Sequence, residues 1–454
     1  MGDVSAMSDH AFLAEHGLFT ARTPRYTSYP PAPHFAPGIG PETVAGWLRT
    51  LPRTEPVSVY AHIPFCRRLC WFCACRTQGT KTDAPLAPYV ESLEAEADLL
   101  AAHLPPGLEA AHLHLGGGTP TILSPHLLDR VFAAITDRIP LTAGAEVSVE
   151  VDPTVLDDVR LDALARAGVT RASIGVQDFD PRVQAAIGRP QSLAETAFAV
   201  DGLRARGVSR VNMDLLYGLP FQTPASLSRT LDLVLDMAPD RIALFGYAHV
   251  PWASKRQVMI PEDALPDGPA RLDLFDLAAG RLIEAGFVRL GIDHFARPDD
   301  PLALAARDGR MRRNFQGYTD DSAPSMIGLG ASSIWKLPQG YVQNATGTAD
   351  WARRVARGQL PVVRGHALSE DDRMRGALIE GLLCDFAAHP RLAGAHAAAA
   401  MTILDDLLAR WPGAMVPDGT GGIAVTDWAR PLVRQMAMDL DAYARPEGRH
   451  SIAV

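Results

Sequence analysis

Six short runs of β-forming residues recur over the first 250 positions, and a segment of helical spacing follows each of them. The runs span 57–65, 111–118, 145–153, 170–178, 210–218 and 241–250. After the first run, apolar side chains repeat at helical spacing at Tyr89, Leu93, Ala97, Leu100 and Leu104. Strands that alternate with helices form βαβ units and lie parallel in one sheet. The sequence therefore predicts an α/β fold, with six units arranged as a barrel or a partial barrel.

The segments on either side of this repeat have a different pattern. Residues 357–372, RGQLPVVRGHALSEDD, have the composition of a loop, and mainly helical segments follow them, with one hairpin-like run before the last helix. We therefore predict three parts. They are an N-terminal arm over 1–54, a catalytic βα domain over 55–360 and a small, mostly helical C-terminal domain over 361–454 with features of a winged helix.

Charge and composition argue against several classes of protein. The formal net charge of −9 disfavours broad nucleic-acid binding, which requires a basic face. No run approaches the ~20 apolar residues that span a bilayer, so we expect no membrane span. The N-terminal residues are polar and acidic, unlike a signal peptide, and the chain has five cysteines. We expect a cytoplasmic protein in a reducing compartment, and nothing in the sequence demands more than a monomer.

Four of the five cysteines lie within YAHIPFCRRLCWFCAC, directly after the first predicted strand begins. Cys66, Cys70 and Cys73 form a C-x3-C-x2-C pattern, and Cys75 adds a further C-x-C step. Structural zinc sites usually combine two separated ligand pairs, whereas Cys384 stands alone. Three close thiols suit an iron–sulfur cluster with one iron open to a ligand. A zinc knuckle or unrelated thiols are the alternative interpretation.

Other notable residues fall towards the ends of the later predicted strands. They are the glycines at 116–118, Glu150, Gln177, Asp214 and Ala248 with His249. Glycines let a backbone approach a ligand closely, although a bare glycine run also suits a tight turn. Because chemistry gathers at the carboxyl ends of parallel strands, these positions predict one shared site.

The cysteine motif after the first strand of a βα barrel resembles the radical S-adenosylmethionine (SAM) enzymes. A longer, ordered set of motifs is similar to the oxygen-independent coproporphyrinogen III oxidases. The set comprises RYTSYP, YAHIPFCRRLCWFCAC, LHLGGGTPT, VSVEVDP, GVQDF, NMDLLYGLP, FGYAHVP and NFQGYT. This resemblance implies a partial (β/α)6 radical SAM barrel, an oxidoreductase activity and a role in porphyrin and haem biosynthesis.

The resemblance also implies the chemistry and the cofactors. A [4Fe-4S] cluster and two SAM molecules would be bound, and 5′-deoxyadenosyl radicals would remove a β-hydrogen from a propionate. Loss of CO2 and one electron would then leave a vinyl group. Two such events would convert coproporphyrinogen III to protoporphyrinogen IX without oxygen. An electron donor and an acceptor are required, and the sequence identifies neither.

Roles for individual residues follow from the same resemblance. Cys66, Cys70 and Cys73 would bind the cluster, and the SAM on its open iron would be contacted by Tyr60, Gly117, Glu150 and Ile334. The second SAM would be contacted by Phe72, Gly118, Thr119, Gln177, Arg189, Asp214 and Ala248. The catalytic candidates are Tyr60, His62 and Cys75, of which Cys75 is expected to be required near the cluster without binding it. For His62, proton transfer and a purely structural role both stay open.

Two of these residues have simpler interpretations on their own, and a third does not. Glu150 would be read as a sheet-end ion pair and Arg189 as an ordinary surface arginine, whereas the apolar neighbours of Asp214 indicate incomplete solvation. The four carboxylates of the substrate require basic partners in an acidic protein. The candidates by charge and position are Arg22, Arg25, Arg67, Arg68, Arg312 and Arg313.

The N-terminal RYTSYP segment has two competing interpretations. Its aromatic and guanidinium groups suit a lid that closes over a tetrapyrrole and excludes water. The alternative is a strap that packs its tyrosines on the barrel. The segment also bears on function, because related haem chaperones share the cluster and barrel but typically lack both RYTSYP and the step to Cys75. A radical enzyme for another tetrapyrrole and a passive iron–sulfur electron carrier are the further alternatives.

Overall fold

One twelve-stranded sheet forms the centre of the molecule in the computed structural model, which describes residues 10–444 and 451–452. Its strands are β1 (Val57–Ile63), β2 (Ala110–Gly117), β3 (Leu141–Val151), β4 (Arg171–Gln177), β5 (Arg210–Tyr217), β6 (Arg241–Gly246), β7 (Val288–Leu290), β8 (His294–Ala296), β9 (Met326–Leu329), β10 (Ile334–Leu337), β11 (Gly340–Asn344) and β12 (Val362–Ala367). The order across the sheet is β12-β11-β10-β9-β1-β2-β3-β4-β5-β6-β8-β7.

The α-helices are numbered in chain order. They are α1 (His10–Glu15), α2 (Pro41–Arg49), α3 (Leu86–Ala101), α4 (Pro125–Thr136), α5 (Asp158–Arg166), α6 (Pro181–Ala186), α7 (Leu193–Ala205), α8 (Pro224–Asp236), α9 (Gly268–Glu284), α10 (Pro301–Arg307), α11 (Thr348–Ala356), α12 (Glu370–Asp385), α13 (Ala397–Arg410) and α14 (Val433–Asp439). The short strands outside the large sheet are Phe65–Cys66 with Gln78–Gly79, Arg312–Asn314 with Gly317–Thr319, and the three-stranded set Ala387–Ala388, Ile423–Val425 and Met415–Pro417.

The six predicted runs correspond to β1–β6, which lie parallel and adjacent in chain order. A seventh parallel strand, β9, pairs with the free side of β1, so that Tyr60 lies between Gly328 and His114 in register. Antiparallel strands extend the sheet on both sides. The predicted α/β partial barrel is therefore confirmed, with flanking strands that the pattern of six units does not reveal.

The helix boundaries reflect local sequence signals. The Ser124 hydroxyl caps α4 by accepting a hydrogen bond from the Leu127 amide, with Pro125 in the first turn. Ser192 and Glu195 form a capping box at the start of α7. Gly168 follows α5 with a φ of 73°, a left-handed conformation that ends a helix most readily at glycine. These short-range signals explain why the helical segments are recognisable in the sequence.

One segment differs from its prediction. Residues 357–372 were expected to form a loop, but Val362–Ala367 within them is strand β12, which pairs antiparallel with β11. Its Gly365 also forms an isolated bridge with Ala36 of the N-terminal arm. The large sheet thus extends to Ala367. The segment VVRGHA was not predicted as a strand because it lacks the continuous apolar run of a buried strand. An edge strand can form without such a run. The three-part division of the chain stays a proposal.

Two of the four hydrophobic clusters in the described part of the chain contain most of its core. The larger packs the parallel strands against the surrounding helices, and it includes the alternating residues Val57, Val59, Ala61 and Ile63 of β1. The residues between them, on the other face of β1, are also buried or half-buried, because both faces of a parallel sheet are covered. The second cluster joins α12, α13 and α14 to residues of the N-terminal arm. The two ends of the chain therefore share one core.

The RYTSYP segment packs against the C-terminal helical region. Tyr26 and Tyr29 are 5% and 6% exposed, and both belong to the second cluster. The Tyr26 hydroxyl donates to Asp441 Oδ2 at 3.0 Å, and the Ala442 amide donates to the Tyr29 hydroxyl at 3.0 Å. The tyrosines thus form a strap, as one interpretation held, and their rings pack in a core formed mainly by the C-terminal region.

One helical segment, Pro390–Arg410, is apolar enough for a membrane span by length and composition alone. It is not one continuous helix, because Gly394 has a non-helical φ of 53° and ψ of −119°. The continuous α-helix, α13, has 14 residues and is about 21 Å long. This length is short of the ~30 Å hydrocarbon core of a bilayer. Ala400, Leu404 and Leu407 of α13 pack in the second hydrophobic cluster.

Candidate active site

The carboxyl ends of the parallel strands meet at one edge of the sheet, where the proposed site residues are gathered. Tyr60 and His62 come from β1, the glycine run from β2, Glu150 from β3 and Gln177 from β4. Asp214 lies on β5 and Ala248 follows β6. Ile334 lies at the same edge but on an antiparallel strand. It is the first residue of β10, which runs back from the end of β9. Below this edge the barrel encloses a polar cavity of about 210 Å³.

The cysteine loop lies between β1 and α3, at this edge. Cys66 ends the short strand Phe65–Cys66, Cys70 is 6% exposed, and all the cysteines are free thiols. Arg189 Nη1 donates to Cys70 Sγ at 3.4 Å, and the Cys75 amide donates to Cys73 Sγ at 3.4 Å. The Thr119 hydroxyl forms a hydrogen bond with Cys66. Each of the three motif sulfurs therefore has its own hydrogen-bond donor.

The pKa directions follow from these contacts. Burial raises the pKa of Cys66 to about 11 despite the Thr119 hydrogen bond. Hydrogen bonding from Cys75 lowers the pKa of Cys73 to about 6, against the effect of burial. The same pair raises the pKa of Cys75 well above its ordinary value. Cys75 therefore acts as a donor to Cys73, so that the two sulfurs differ in character although they lie two residues apart.

The donor set of the loop fits a [4Fe-4S] cluster. Among residues 10–444 and 451–452, no three His, Cys, Asp or Glu side chains converge closely enough to hold one metal ion. A four-iron cluster has a different requirement, because each thiolate binds a separate iron. Cys66, Cys70 and Cys73 interact electrostatically with one another while remaining spread along the loop. Their spacing suits several irons better than a single zinc ion.

The glycine run packs tightly against the strands beside it. A Cβ on Gly117, whose φ is 111°, would lie 2.4 Å from His62 Cε1, and a Cβ on Gly118 would lie 2.6 Å from the Phe65 carbonyl oxygen. Both contacts are shorter than real Cβ atoms tolerate. The glycines are therefore required for close approach of β2 to β1 and to the start of the cysteine loop. This requirement is independent of any ligand.

Glu150 is held by two donors while its carboxylate stays accessible. The Gly117 amide donates to Oε2 at 2.9 Å, and His114 Nε2 lies 3.5 Å from Oε1. Burial would raise the pKa of Glu150, but the His114 and Gly117 hydrogen bonds outweigh it and leave the pKa below its ordinary value. The side chain is 39% exposed. The carboxylate is thus ionised, oriented and open to further donors such as ribose hydroxyls.

Replacing Glu150 by glutamine is expected to weaken SAM binding by about tenfold or more, because hydrogen bonds to a charged group are worth ~1.5–3 kcal/mol each. The cluster absorbance should be unchanged. Equilibrium titration of the reconstituted protein with SAM measures this effect. Glu146→Gln, four residues earlier on β3 and paired with Arg171 at 2.9 Å, is the matched control and should retain SAM affinity. Unchanged affinity in Glu150→Gln would assign Glu150 a structural role.

His62 has protein partners on both ring nitrogens. Its Nε2 lies 3.1 Å from the Arg76 carbonyl oxygen, which accepts only, so Nε2 carries the proton. Nδ1 then accepts from the Tyr60 hydroxyl at 2.9 Å. Burial lowers the pKa of His62, in agreement with a neutral ring. This geometry favours the structural interpretation of His62, and it orients the Tyr60 ring, which stacks on His114.

Arg189 is not the surface arginine that its local sequence suggests. Its side chain is 12% exposed, and its Nη1 lies 3.3 Å from Asp152 Oδ2. Nη2 donates to the Gly175 carbonyl oxygen at 3.0 Å, two residues before the end of β4. Gln177, which ends that strand, has a φ of 69°, a left-handed conformation uncommon for residues with a side chain. Arg189 therefore joins the cysteine loop to the strained end of β4.

Asp214 lies half-buried in the barrel cavity. Ser173 Oγ donates to its Oδ2 at 3.1 Å and Asn212 Nδ2 donates to its Oδ1 at 2.8 Å. Burial and the nearby charge of Glu150 raise the pKa of Asp214 to about 6. The prediction that this carboxylate is not fully solvated agrees with these contacts. Its location in the cavity, beside Glu150, fits a ligand contact.

A residue that the sequence did not indicate connects two proposed SAM contacts. Gln257, which is fully buried, donates through Nε2 to the Phe72 carbonyl oxygen at 2.7 Å and to the Ala248 carbonyl oxygen at 3.1 Å. Ser254 Oγ donates to the Cys73 carbonyl oxygen at 2.8 Å. The segment after β6 therefore holds the cysteine loop in place. The stretch ASKRQV offered no sequence signal for this role.

The arginines proposed from charge alone have different environments. Arg67 pairs with Asp83, Arg68 donates to the Pro190 carbonyl oxygen, and Arg22 stacks over Trp252. Arg312 donates to the Met311 carbonyl oxygen, next to it in the chain. Arg25 and Arg313, by contrast, lie together at the end of β6, where Arg313 Nη2 donates to the Arg25 carbonyl oxygen at 3.3 Å.

Comparisons with known proteins agree with this arrangement. The radical SAM superfamily model matches residues 60–234, which include the cysteine loop, Glu150 and Asp214. The chain is 49% identical over 452 residues to the oxygen-independent coproporphyrinogen III oxidase of Paracoccus denitrificans, covering 99% of this chain and 100% of that protein. A Cereibacter sphaeroides protein of the same name is 48% identical over 451 residues, covering 98% of this chain and all of that one.

A solved structure shows the same likeness in three dimensions. Coproporphyrinogen III oxidase of Escherichia coli, described as a radical SAM enzyme, superposes with a TM-score of 0.88 at 35% identity. The match covers 92% of this chain and 98% of that one. The likeness therefore extends over most of the chain.

Proposed function

This chain belongs to the family of oxygen-independent coproporphyrinogen III oxidases, and from that premise we infer how its residues carry out the family's reaction. The protein is a radical SAM oxidoreductase of haem biosynthesis. Each of two propionate side chains of coproporphyrinogen III loses one hydrogen atom, one electron and CO2, and becomes a vinyl group. The product is protoporphyrinogen IX.

The cysteine loop at the carboxyl edge of the barrel carries this conclusion. Cys66, Cys70 and Cys73 would hold the [4Fe-4S] cluster, which with bound SAM supplies a 5′-deoxyadenosyl radical by one-electron cleavage of the sulfonium. Cys75 donates to Cys73 and orients it without being needed as a ligand. Tyr60, Gly117, Glu150 and Ile334, which lie towards the same edge of the sheet, would contact the SAM on the open iron.

A second SAM is part of the proposal. Its contacts would be Phe72, Gly118, Thr119, Gln177, Arg189, Asp214 and Ala248, which lie on the adjoining strands β4–β6 and on the loops facing them. The bridge through Gln257 between Phe72 and Ala248 supports one continuous binding surface. Titration of the reconstituted protein is expected to saturate at two SAM per chain. Saturation at one would contradict this part of the proposal.

The balance of electrons requires two partners besides the substrate. One electron must enter to cleave each SAM, and one must leave as each vinyl group forms. The protein therefore works with an electron donor and an acceptor. We also propose that it acts as a monomer in the cytoplasm and binds no nucleic acid, in agreement with its net charge of −9 and its free thiols.

Anaerobic turnover tests the function directly. Reconstituted protein with coproporphyrinogen III, SAM and dithionite is expected to form protoporphyrinogen IX, with methionine and 5′-deoxyadenosine as co-products. The competing function is a haem chaperone, which would retain added haem and leave coproporphyrinogen III unchanged. The presence of Cys75 and RYTSYP favours the oxidase. Failure of substrate conversion with stable haem binding would reverse the assignment.

A further inference from the structure

A glutamate on α3 is buried next to the site without belonging to it. Glu96 is 0% exposed and has no cation among its described partners. Its carboxylate accepts three hydrogen bonds instead. The Gly330 amide donates to Oε2 at 2.7 Å, Asn344 Nδ2 donates to Oε1 at 2.7 Å, and Trp351 Nε1 donates to Oε2 at 3.0 Å. Because a buried charge without a counter-ion is costly, this carboxylate is a poor source of stability for the fold.

Glu96 and Tyr89, two helical turns apart on α3, hold a turn that joins β9 to β10. This turn, residues 330–333, is buried and directly precedes Ile334. Its Ser332 has a φ of 67°, an unfavourable left-handed conformation for a residue with a side chain. The turn therefore depends on its surroundings to keep its shape.

The 330–333 turn also packs on the end of β1, from which the chain continues to the cysteine loop. The Tyr89 hydroxyl accepts from the Ala331 amide at 3.0 Å and donates to the His62 carbonyl oxygen at 2.6 Å. A Cβ on Gly330, whose φ is 88°, would lie 2.5 Å from that same carbonyl oxygen. The position of the turn is thus set relative to the cysteine loop by side chains of α3.

Asn344 couples the charge of Glu96 to the shape of the turn. Besides Glu96 Oε1, its Nδ2 lies 2.9 Å from the Gly330 carbonyl oxygen and 3.0 Å from Ser333 Oγ. The three N–H groups around Glu96 can only donate, so they match an ionised carboxylate, which only accepts. A protonated carboxyl, or the amide of a glutamine, would turn a hydrogen towards one of these donors. Protonation or replacement of Glu96 therefore disturbs the hydrogen bonds that Asn344 makes to the turn.

Folding and the turn make opposite demands on Glu96. Burial raises the pKa of Glu96 to about 7, although its three hydrogen bonds act to lower it. Because this pKa is higher than in an unfolded chain, the protonated form favours folding. The contribution of Glu96 to stability therefore falls as the pH rises from about 4.5 to about 7. The donors of the turn, in contrast, are matched only when Glu96 is ionised.

The other charged groups on the surrounding elements have partners of their own. Those of α3 and α11 form ion pairs, Glu94 with Arg130, Asp98 with Arg138, and Asp350 with Arg353 and Arg354. On β1, the His62 ring is bonded to the Tyr60 hydroxyl and the Arg76 carbonyl oxygen. The titratable side chain that faces Glu96 is Tyr89, whose pKa is raised by burial and by the charge of Glu96.

We propose that Glu96 is a positioning residue for the SAM on the open iron. The inference rests on the proposed function. The carboxylate fixes the 330–333 turn through Gly330 and Asn344, and hence the start of β10, where Ile334 would contact SAM. A turn that is held less firmly would let SAM shift relative to the substrate propionate, and a small misplacement of reacting groups is costly. SAM cleavage would then exceed vinyl formation.

Glu96→Gln tests this inference in the reconstituted protein. The variant is expected to keep its iron content, to bind SAM about fivefold more weakly, and to form more 5′-deoxyadenosine per vinyl group than the wild type. SAM titration and product analysis after anaerobic turnover measure these effects. Glu94→Gln, two residues earlier on α3 at the ion pair with Arg130, is the matched control and should behave as wild type. Leu404→Ala, in the second hydrophobic cluster, lowers stability and should keep both values.

The pH profile of SAM binding separates positioning from a general loss of stability. In the wild type, affinity is expected to rise as the pH increases through about 7 and Glu96 ionises. The rise should be absent in Glu96→Gln, and the difference between the two profiles removes the contribution of other groups such as Asp214. Trp351→Phe deletes one donor to the carboxylate and should move the rise to higher pH. This variant carries the comparison where Glu96→Gln does not fold.

Equal SAM affinity, product ratio and pH profile in wild type and Glu96→Gln would overturn the inference while the oxidase assignment stands. The inference would also fail if Leu404→Ala, at an equal loss of thermal stability, lost SAM affinity to the same extent. A wild-type protein that cleaves SAM but does not convert coproporphyrinogen III would overturn the proposed function itself. SAM affinity and its pH profile are measured without substrate, so they test the role of Glu96 in that case too.

Discussion

Replacing Cys66, Cys70 or Cys73 by alanine is expected to abolish both the brown cluster absorbance and SAM cleavage. Each thiolate would bind a separate iron, so the loss of one leaves an iron without a protein ligand. We expect the loss of the cluster to be most complete in Cys70→Ala. Cys70 is 6% exposed, and no other thiol in the described loop has the Arg189 hydrogen bond. Iron and sulfide analysis of the anaerobically reconstituted protein measures the effect.

Cys75→Ala is the matched comparison for these variants. It removes a thiol from the same loop but leaves the backbone amide that donates to Cys73 Sγ at 3.4 Å. Most of the cluster should therefore be retained, while turnover falls because the Cys73 sulfur loses one donor. Loss of iron in Cys75→Ala as complete as in Cys70→Ala would make Cys75 a ligand and refute the three-cysteine assignment.

Deleting residues 1–30 is expected to unfold the C-terminal helical region. Leu13, Leu18, Tyr26 and Tyr29 are all at most 6% exposed in the core formed with α12, α13 and α14. A fully buried large apolar side chain stabilises a protein by ~1.5–3 kcal/mol, so the four together contribute roughly 6–12 kcal/mol. That sum is comparable to the ~5–15 kcal/mol by which most domains are stable. Limited proteolysis followed by mass spectrometry locates the region that unfolds.

Point variants in α1 distinguish lost packing from a nonspecific effect of truncation. Leu13→Ala should lower the free energy of unfolding by ~2–5 kcal/mol, because this side chain is 1% exposed. Glu15→Ala, at an exposed position two residues later, should change it by less than ~0.5 kcal/mol. If the protein lacking residues 1–30 folds and forms protoporphyrinogen IX at the full-length rate, neither a strap nor a lid is needed.

The packing of the arm supports the strap interpretation, while the lid over the substrate stays a prediction. Its tyrosines face the C-terminal core, where Tyr26 bonds to Asp441 and Tyr29 accepts from Ala442. Arg25, next to Tyr26 in the chain, extends instead towards the barrel. Its Nη2 donates to the Gly246 carbonyl oxygen at the end of β6. The strap therefore fixes Arg25 at the site. The tyrosines of the segment pack in the C-terminal core, and its Arg25 contacts the end of β6.

Much of the fold follows from local sequence. The strands β1–β6 and the helices between them were evident because strand periodicity and helix caps depend on residues within a few positions of one another. The strand β12 was missed for the same reason. VVRGHA has no strong periodicity of its own, and its pairing with β11 and the bridge to Ala36 are set by neighbours outside its local window.

The cysteine motif, the glycine run and the alternation of strands and helices determined the superfamily, the cofactor and the edge of the sheet where chemistry occurs. These features are short, contiguous and independent of the rest of the chain. The tertiary structure decided which other groups reach that edge. The sequence analysis selected neither Arg434 nor Gln257, yet Arg434 lines a pocket at the end of β6 and Gln257 is buried against the cysteine loop. Contacts between residues far apart in the chain arise only when the whole sheet and both termini pack together, because no local pattern encodes them.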